Sequence, residues 1–255
     1  MKEPLLRVEQ LSLAFGGVRA LTSVDMEIAD GTICGLVGPN GAGKTSLFNC
    51  ICGYYRPTSG RVLLRGMDIT RRRPHTLAGL GIARTFQHPV LQRDKSVLDN
   101  VIMGGHSAIT NGAIRYTFRA GVRRQERMIA TRAAELVDYL GITHLARVPA
   151  GELSYGSQKR VELGRALMAK PSLLLLDELA SGLTHEEVLA LGEQIQRVRM
   201  ELDVGIVLVE HHMGMVSALT DNVIVLVQGK KIAEGSATEV QRHPVVIDAY
   251  LGAAA

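Results

Sequence analysis

Apolar and polar positions alternate near the start of the chain. Leu11, Leu13 and Phe15 stand against Gln10, Ser12 and Ala14, and Val24, Met26 and Ile28 alternate with Asp25 and Glu27. A period of two is that of a strand with one buried face, and Asp30-Gly31 marks a turn after the second run. The chain therefore opens with antiparallel sheet. The pattern then changes. Thr32 to Val37, Ser172 to Leu176 and Val204 to Val209 are nearly continuous apolar runs, as expected of strands covered on both faces. Helical stretches lie between them. Lys44 to Cys52 and Lys159 to Met168 read as helices. Ile129, Ala133, Leu136, Val137 and Leu140 form one stripe at helical spacing, and Val188, Leu191, Ile195, Val198 and Leu202 form another. Ser96-Val97-Leu98-Asp99, Thr184-His185-Glu186-Glu187 and Ser236-Ala237-Thr238-Glu239 have the spacing of helix starts.

Smaller signals fill in the rest. Pro57-Thr58-Ser59-Gly60 turns the chain into a short strand, Arg61 to Arg65, and Gly66-Met67-Asp68 starts a further turn. Asn222 to Val227, Gln228-Gly229 and Lys230 to Glu234 read as a hairpin. Strand–helix alternation of this kind predicts an α/β fold with a mostly parallel sheet. From Arg71 to about Gly151 strand signals are sparse, and Gly104–Gly112 reads as a loop. We expect a mostly helical insertion there. The resulting division is one domain over 1–255, with an α/β core in 1–93 and 153–255 and a helical subdomain in 94–152. No internal repeat or low-complexity tract interrupts it.

Composition adds limits. At 255 residues, 46% hydrophobic and 21% charged, the chain suits a soluble globular protein with a large core. No apolar run approaches the ~20 residues of a membrane span, and Met-Lys-Glu-Pro-Leu-Leu-Arg lacks a signal-peptide core, so a cytosolic chain is expected. The net charge of +4 is mild, and Arg71-Arg72-Arg73 and Arg123-Arg124 read as solvated basic faces. Aromatics make up 4%, without Trp, too few for stacking platforms, and no nucleic-acid partner is expected. Cys34, Cys50 and Cys52 lack zinc spacing and read as small buried hydrophobes.

The chemistry starts at Gly38-Pro39-Asn40-Gly41-Ala42-Gly43-Lys44-Thr45-Ser46, which has the spacing of a phosphate-binding loop. Its glycines let backbone N–H groups line an anion site, and the following helix adds partial positive charge at its N-terminus. Lys44 can reach the outer phosphates, and the Thr45 hydroxyl is a hard oxygen suited to Mg²⁺. Asp177-Glu178 ends an apolar strand, at the sheet edge where α/β sites form. Asp177 can hold Mg²⁺ through water, Glu178 can polarise the attacking water, and Gln87 can complete the metal shell. His211 follows another core strand and is a candidate for the γ-phosphate. Leu153-Ser154-Tyr155-Gly156-Ser157-Gln158 precedes a helix, and its small polar residues fit an N-cap or an anion site equally well.

Taken in order, these motifs resemble the ATP-binding cassette (ABC) transporter ATPases over nearly the whole chain. Gly38–Ser46 matches the phosphate loop, Gln87 the Q-loop, Leu153–Ser157 the signature, Leu173–Asp177 with Glu178 the Walker B strand, and His211 the switch histidine. Ala14-Phe15-Gly16-Gly17-Val18-Arg19-Ala20-Leu21, Gly81-Ile82-Ala83-Arg84-Thr85-Phe86-Gln87 and Ala249-Tyr250-Leu251-Gly252 resemble the branched-chain amino acid importer branch. The resemblance implies a P-loop NTPase (RecA-like) core with an N-terminal antiparallel β subdomain and an inserted helical subdomain. It implies ATP as substrate, Mg²⁺ as cofactor, and Phe15 under the adenine ring. It further implies a head-to-tail dimer in which Ser154 and Gly156 cover the nucleotide on the other subunit's phosphate loop. Glu178 would act as base, with Lys44 and His211 stabilising charge and Thr45, Gln87 and Asp177 at the metal. Partners would be a second ATPase subunit, transmembrane permease subunits and, indirectly, a solute-binding protein, with the chain on the cytoplasmic side of the plasma membrane.

Related branches that export lipopolysaccharide or import urea share the same parts. Soluble cassettes acting on ribosomes or DNA usually carry two cassettes or long coiled-coil arms, which this chain lacks. A binding module with dead catalysis fits poorly with Lys44, Asp177, Glu178 and His211 all present. The sequence departs from the commoner family pattern at Tyr155, Ser157, Thr184 and His212, and at Leu179, which stands where the resemblance places Pro after the catalytic Glu.

Overall fold

The computed structural model describes residues 3–105 and 119–251. In chain order its elements are β1 (Leu6–Phe15), β2 (Val18–Ile28), β3 (Ile33–Val37), α1 (Lys44–Ile51), β4 (Ser59–Leu64), β5 (Met67–Asp68), α2 (Pro74–Gly79), β6 (Ile82–Arg84), α3 (Val97–Gly104), α4 (Arg119–Tyr139), α5 (Tyr155–Met168), β7 (Leu173–Asp177), α6 (His185–Leu202), β8 (Gly205–Val209), α7 (Met213–Leu219), β9 (Asn222–Val227), β10 (Lys230–Gly235), α8 (Ala237–Arg242) and α9 (Pro244–Leu251).

The alternating N-terminal runs build an antiparallel sheet of order β2-β1-β4-β5. The second sheet has order β10-β9-β3-β8-β7-β6, parallel from β9 to β6, with β10 antiparallel at one edge. Every residue of β3, β7 and β8 is buried, which is why these strands read as apolar without alternation. Successive side chains still go to opposite faces. Cys34, Leu36, Leu173, Leu175, Val207 and Val209 join the cluster formed with the antiparallel sheet and α1. Ile33, Leu174, Leu176, Ile206 and Leu208 join the helices on the other face, including Val101 of α3 and Leu136 of α4. The helical segment thus shares a core with the parallel sheet.

Local signals hold where backbone chemistry is strong. Thr184 and Ser236 each form a complete capping box, and Ser96 accepts from Asp99 N–H. Gln228 and Gly229 both have positive φ, as a two-residue hairpin turn requires. The three cysteines are buried, free thiols, and burial pushes Cys34 and Cys50 up to about 12 and Cys52 to about 11. Arg71, Arg72, Arg73 and Arg124 are exposed, as solvated faces should be. The Arg123 side chain lies outside the described residues.

Several expectations shift. The stretch after Arg71 is not free of strand: β6 adds to the edge of the core sheet, paired with β7 alone, and α2 precedes it. A strand of three residues is too short to show a period. Met67 and Asp68 pair with Leu64 and Leu63 as β5 where only a turn was expected. Gly104 closes α3 instead of opening a loop, and residues 106–112 lie outside the described ones. The helix expected from Lys159 starts four positions earlier, at Tyr155, with Ser154 as its N-cap.

Candidate functional site

The strand order brings the predicted residues to one edge. Adjacent strands β3, β8, β7 and β6 end respectively in the glycine loop, in His211, in Asp177-Glu178 and in the segment carrying Gln87. The carboxyl ends of parallel strands thus converge on one place.

The loop 38–43 leads directly into α1, whose N-cap Gly43 is in the left-handed region. Gly38 has φ +153, and a Cβ there would lie 2.0 Å from the Leu226 carbonyl oxygen on β9, so no larger residue fits. Lys44 spans the loop from inside, its Nζ donating to the carbonyls of Gly38 at 2.7 Å and Pro39 at 3.1 Å. Burial lowers the Lys44 pKa, and the carboxylates of Glu178 and Asp177 oppose that shift. Thr45 is exposed and Ser46 half-buried in the first turn of α1, where the helix concentrates its free N–H groups.

Glu178 is the centre of the arrangement. Its backbone has φ +47, a left-handed conformation that costs a non-glycine residue of order 1–3 kcal/mol and clusters at functional sites. Neighbouring bonds hold it there. Glu178 N–H donates to the Val209 carbonyl at 2.9 Å, and Ala180 N–H donates to the buried Glu210 carboxylate at 2.8 Å. Burial raises the Glu210 pKa, and the Ala180 bond opposes that. One Glu178 oxygen faces His211 Nε2 at 2.8 Å, and the other accepts from the Gln87 amide. Three residues singled out from distant parts of the sequence thus meet at a single carboxylate.

Asp177 is buried and ion-paired with Arg84 Nη2 at 2.6 Å. Arg84 Nη1 also donates to Asn49 Oδ1 of α1, and the guanidinium lies 5.5 Å from the Phe48 ring centre and 5.3 Å from that of Phe86. Arg84 was noted in sequence only as part of a motif, and its role as a bridge between α1, β6 and β7 depends on strand order. Phe15 stands apart at the end of β1, half exposed, with its ring edge on Tyr55 at 5.1 Å. Tyr55 carried no sequence signal of its own.

The signature segment serves as an N-cap within this chain. Ser154 Oγ accepts from Ser157 N–H at 3.3 Å, and Ser154 is exposed. Gly156 is buried, and a Cβ there would come within 2.4 Å of Glu187 Oε1 at the start of α6, so a larger residue would have to displace that carboxylate. Beyond the edge, a groove of about 360 Å³ lies among α2, β6, α3 and α5, with Leu77, Phe86, Val90 and Met103 as its apolar lining and Arg84, Glu162 and Arg165 as its charged one.

A glycine loop on a helix N-terminus, facing carboxylates at the edge of a parallel sheet, defines a phosphate-loop nucleoside triphosphatase. Comparison with known proteins is consistent along the chain. Residues 21–181 match the family described as "ABC transporter", and residues 230–255 match that described as "Branched-chain amino acid ATP-binding cassette transporter". The chain belongs to the ABC transporter family and is an ATPase of that family. The high-affinity branched-chain amino acid transport ATP-binding protein LivG of Escherichia coli K12 is 37% identical over 255 residues, covering all of both chains. BraF of Pseudomonas aeruginosa, with the same description, is 36% identical over all of both. A probable LivG of Archaeoglobus fulgidus is 32% identical over 98% of this chain and 96% of its own. Among solved structures, a nucleotide-free ATP-binding cassette from an ABC transporter superposes with TM-score 0.84 at 29% identity, covering 97% of this chain and 98% of that one. An ATP-binding cassette in its ADP conformation gives 0.86 at 30% identity, covering 98% and 99%.

Proposed function

We propose that the chain is the ATP-hydrolysing subunit of an importer for branched-chain amino acids. The full-length likeness to branched-chain amino acid transport ATP-binding proteins supports the substrate class. The observation that carries the chemistry is the Glu178 carboxylate, held between His211 and Gln87 above the phosphate loop. In this reading Gly38 to Ser46 cradle the ATP phosphates and Lys44 moves from its own loop carbonyls to the γ-phosphate. Glu178 takes the proton of the attacking water, and His211 and Gln87 fix which way its oxygens point. Phe15, backed by Tyr55, supports the adenine ring.

The oxygen donors of Thr45, Gln87 and Asp177 are hard ligands with a single carboxylate among them, a set that fits Mg²⁺, which keeps several waters and takes phosphate oxygens. When bound there, Mg²⁺ would supply neutralisation of phosphate charge. Exposed Ser154 and the helix start at Gly156 then cover the nucleotide of a second cassette, giving a head-to-tail dimer. Residues 94–152 act as the helical subdomain between 1–93 and 153–255. The groove beside β6 receives a permease subunit, which keeps the chain at the cytoplasmic face of the plasma membrane. Among the described residues no helix is long and apolar enough to cross a membrane.

The test is Glu178→Gln. The variant is expected to bind ATP with wild-type affinity, accumulate as an ATP-dependent dimer and lose turnover. Unchanged steady-state hydrolysis would remove Glu178 from its role. Uptake of labelled leucine in a deletion strain, restored by this chain but not by that variant, tests the substrate class.

A further inference from the structure

The hydrolysis chemistry leaves two buried ionisable side chains on α5 without a use. Lys159 is fully buried and Glu162 is 5% exposed. Together with Tyr155 they lie at i, i+4 and i+7, on one stripe of the helix. All three reach the backbone of a single dipeptide. Glu162 Oε1 accepts from Phe86 N–H at 2.8 Å. The Gln87 carbonyl accepts from Lys159 Nζ and from Tyr155 Oη, the latter at 3.3 Å. Lys159 Nζ also lies 5.2 Å from the Tyr155 ring centre, and Arg165, one turn further on, donates to the Val90 carbonyl. One helix therefore grips the chain from 86 to 90 by its peptide groups.

We propose that Tyr155, Lys159 and Glu162 are positioning residues that set where Gln87 stands against Glu178 and tie that setting to the signature motif at the head of the same helix. The proposal rests on the catalytic reading of Glu178 given above. A core position would be filled at lower cost by an apolar side chain, because a buried ammonium and carboxylate must each be desolvated. What these charges provide in exchange is directional. They hold the peptide N–H that precedes the Phe86 Cα and the carbonyl that follows the Gln87 Cα, so the backbone carrying the Gln87 side chain is tied down at both ends of the dipeptide. Burial lowers the Lys159 pKa, and the charges of Glu162, Glu210, Asp177 and Glu178 oppose that shift. Because Ser154 and Gly156 begin the same helix, a displacement of the 86–90 segment moves the motif that faces the second subunit.

The test uses the full chain, with kcat and KM for ATP measured alongside ATP affinity. If the wild-type chain does not hydrolyse ATP, the underlying catalytic reading fails. If it does, the clamp is judged separately. Glu162→Leu, which keeps the volume and removes the acceptor, should lower kcat about tenfold with KM and ATP affinity changed less than about twofold. Glu162→Gln, which keeps an oxygen for Phe86 N–H, should restore kcat to within about twofold. In a Gln87→Ala background, followed by single turnover, Glu162→Leu should cost no more than about a further twofold, because it acts through Gln87. Tyr155→Phe removes one hydroxyl from a partly exposed ring and should repeat the pattern at about threefold, which keeps the test readable if the Leu variant does not fold. Wild-type kcat in these variants, or losses that multiply with Gln87→Ala, would overturn the proposal.

Discussion

The bridge made by Arg84 gives the sharpest prediction. Its side chain is 8% exposed and that of its partner Asp177 is 9%, with 2.6 Å between Nη2 and Oδ2. The perturbation is Arg84→Met, which preserves an unbranched stem between the rings of Phe48 and Phe86. It leaves the Asp177 carboxylate buried without its cation, and breaking a buried pair from one side costs about 3–5 kcal/mol. The lost bond to Asn49 adds about 1 kcal/mol. Against a total stability of about 5–15 kcal/mol, this is roughly a quarter or more. Arg84→Lys keeps the charge but cannot reach Asn49 and Asp177 with one planar fork, so about half the loss is expected. The assay is equilibrium unfolding in urea without nucleotide or Mg²⁺, taking the shift in midpoint at constant m. Adding Asp177→Asn to Arg84→Met should recover at least about 2 kcal/mol, because the orphaned charge is then gone. A loss under about 1 kcal/mol for Arg84→Met, or strict additivity in the double variant, would refute the reasoning.

Burial holds Glu162 up to about 7, with Asp177 adding to the shift and the Phe86 N–H, Lys159 and Arg165 opposing it. Between about pH 4.5 and about pH 7 the native state therefore keeps a proton that the unfolded chain has lost. Stability from this group is fully present below about 4.5 and falls by up to about 3 kcal/mol as pH rises to 7. Glu162→Gln should flatten that part of the pH profile, read as the difference in denaturation midpoint between the two proteins at each pH. Gly38→Ala should lose ATP binding by at least about tenfold, measured by calorimetry, since its Cβ would meet the Leu226 carbonyl. Thr184→Ala removes the capping-box hydroxyl of α6 and should cost about 1 kcal/mol of stability.

The parts of this site that the sequence carries are those in which one residue type has one physical use. Glycines and a lysine at fixed spacing, paired carboxylates after an apolar strand, and Thr184 three positions before Glu187 all declare themselves locally. Gln87 and His211 are intermediate: each gains meaning only from standing at a strand end beside a phosphate loop. What sequence conceals is lateral. The bond from Arg84 to Asp177 spans 93 positions and exists because β6 lies next to β7. β6 itself is hidden by its three-residue length, and the first turn of α5 is hidden by Gly156, a poor helix former tolerated because Glu187 fills its space. Lys159 and Glu162 look like surface charges in a helix, and only the burial of that stripe reveals them.

The geometry around Glu178 explains why the surrounding turn can depart from the commoner family pattern at Leu179. A proline at that position would fix its own φ and remove a donor. Here the shape of the turn is imposed from neighbouring elements instead. Glu178 N–H is tied to Val209, Ala180 N–H to Glu210, and the wholly buried Leu179 side chain sits in the helix-side core. Both tethers lie on the chain that leads from β8 into His211. The segment that holds Glu178 in its left-handed conformation therefore also delivers the histidine to its carboxylate. A shift of β8 against β7 would disturb backbone strain and side-chain partner together, so the register of two buried strands, Asp177 opposite Val209, is itself a determinant of the proposed base.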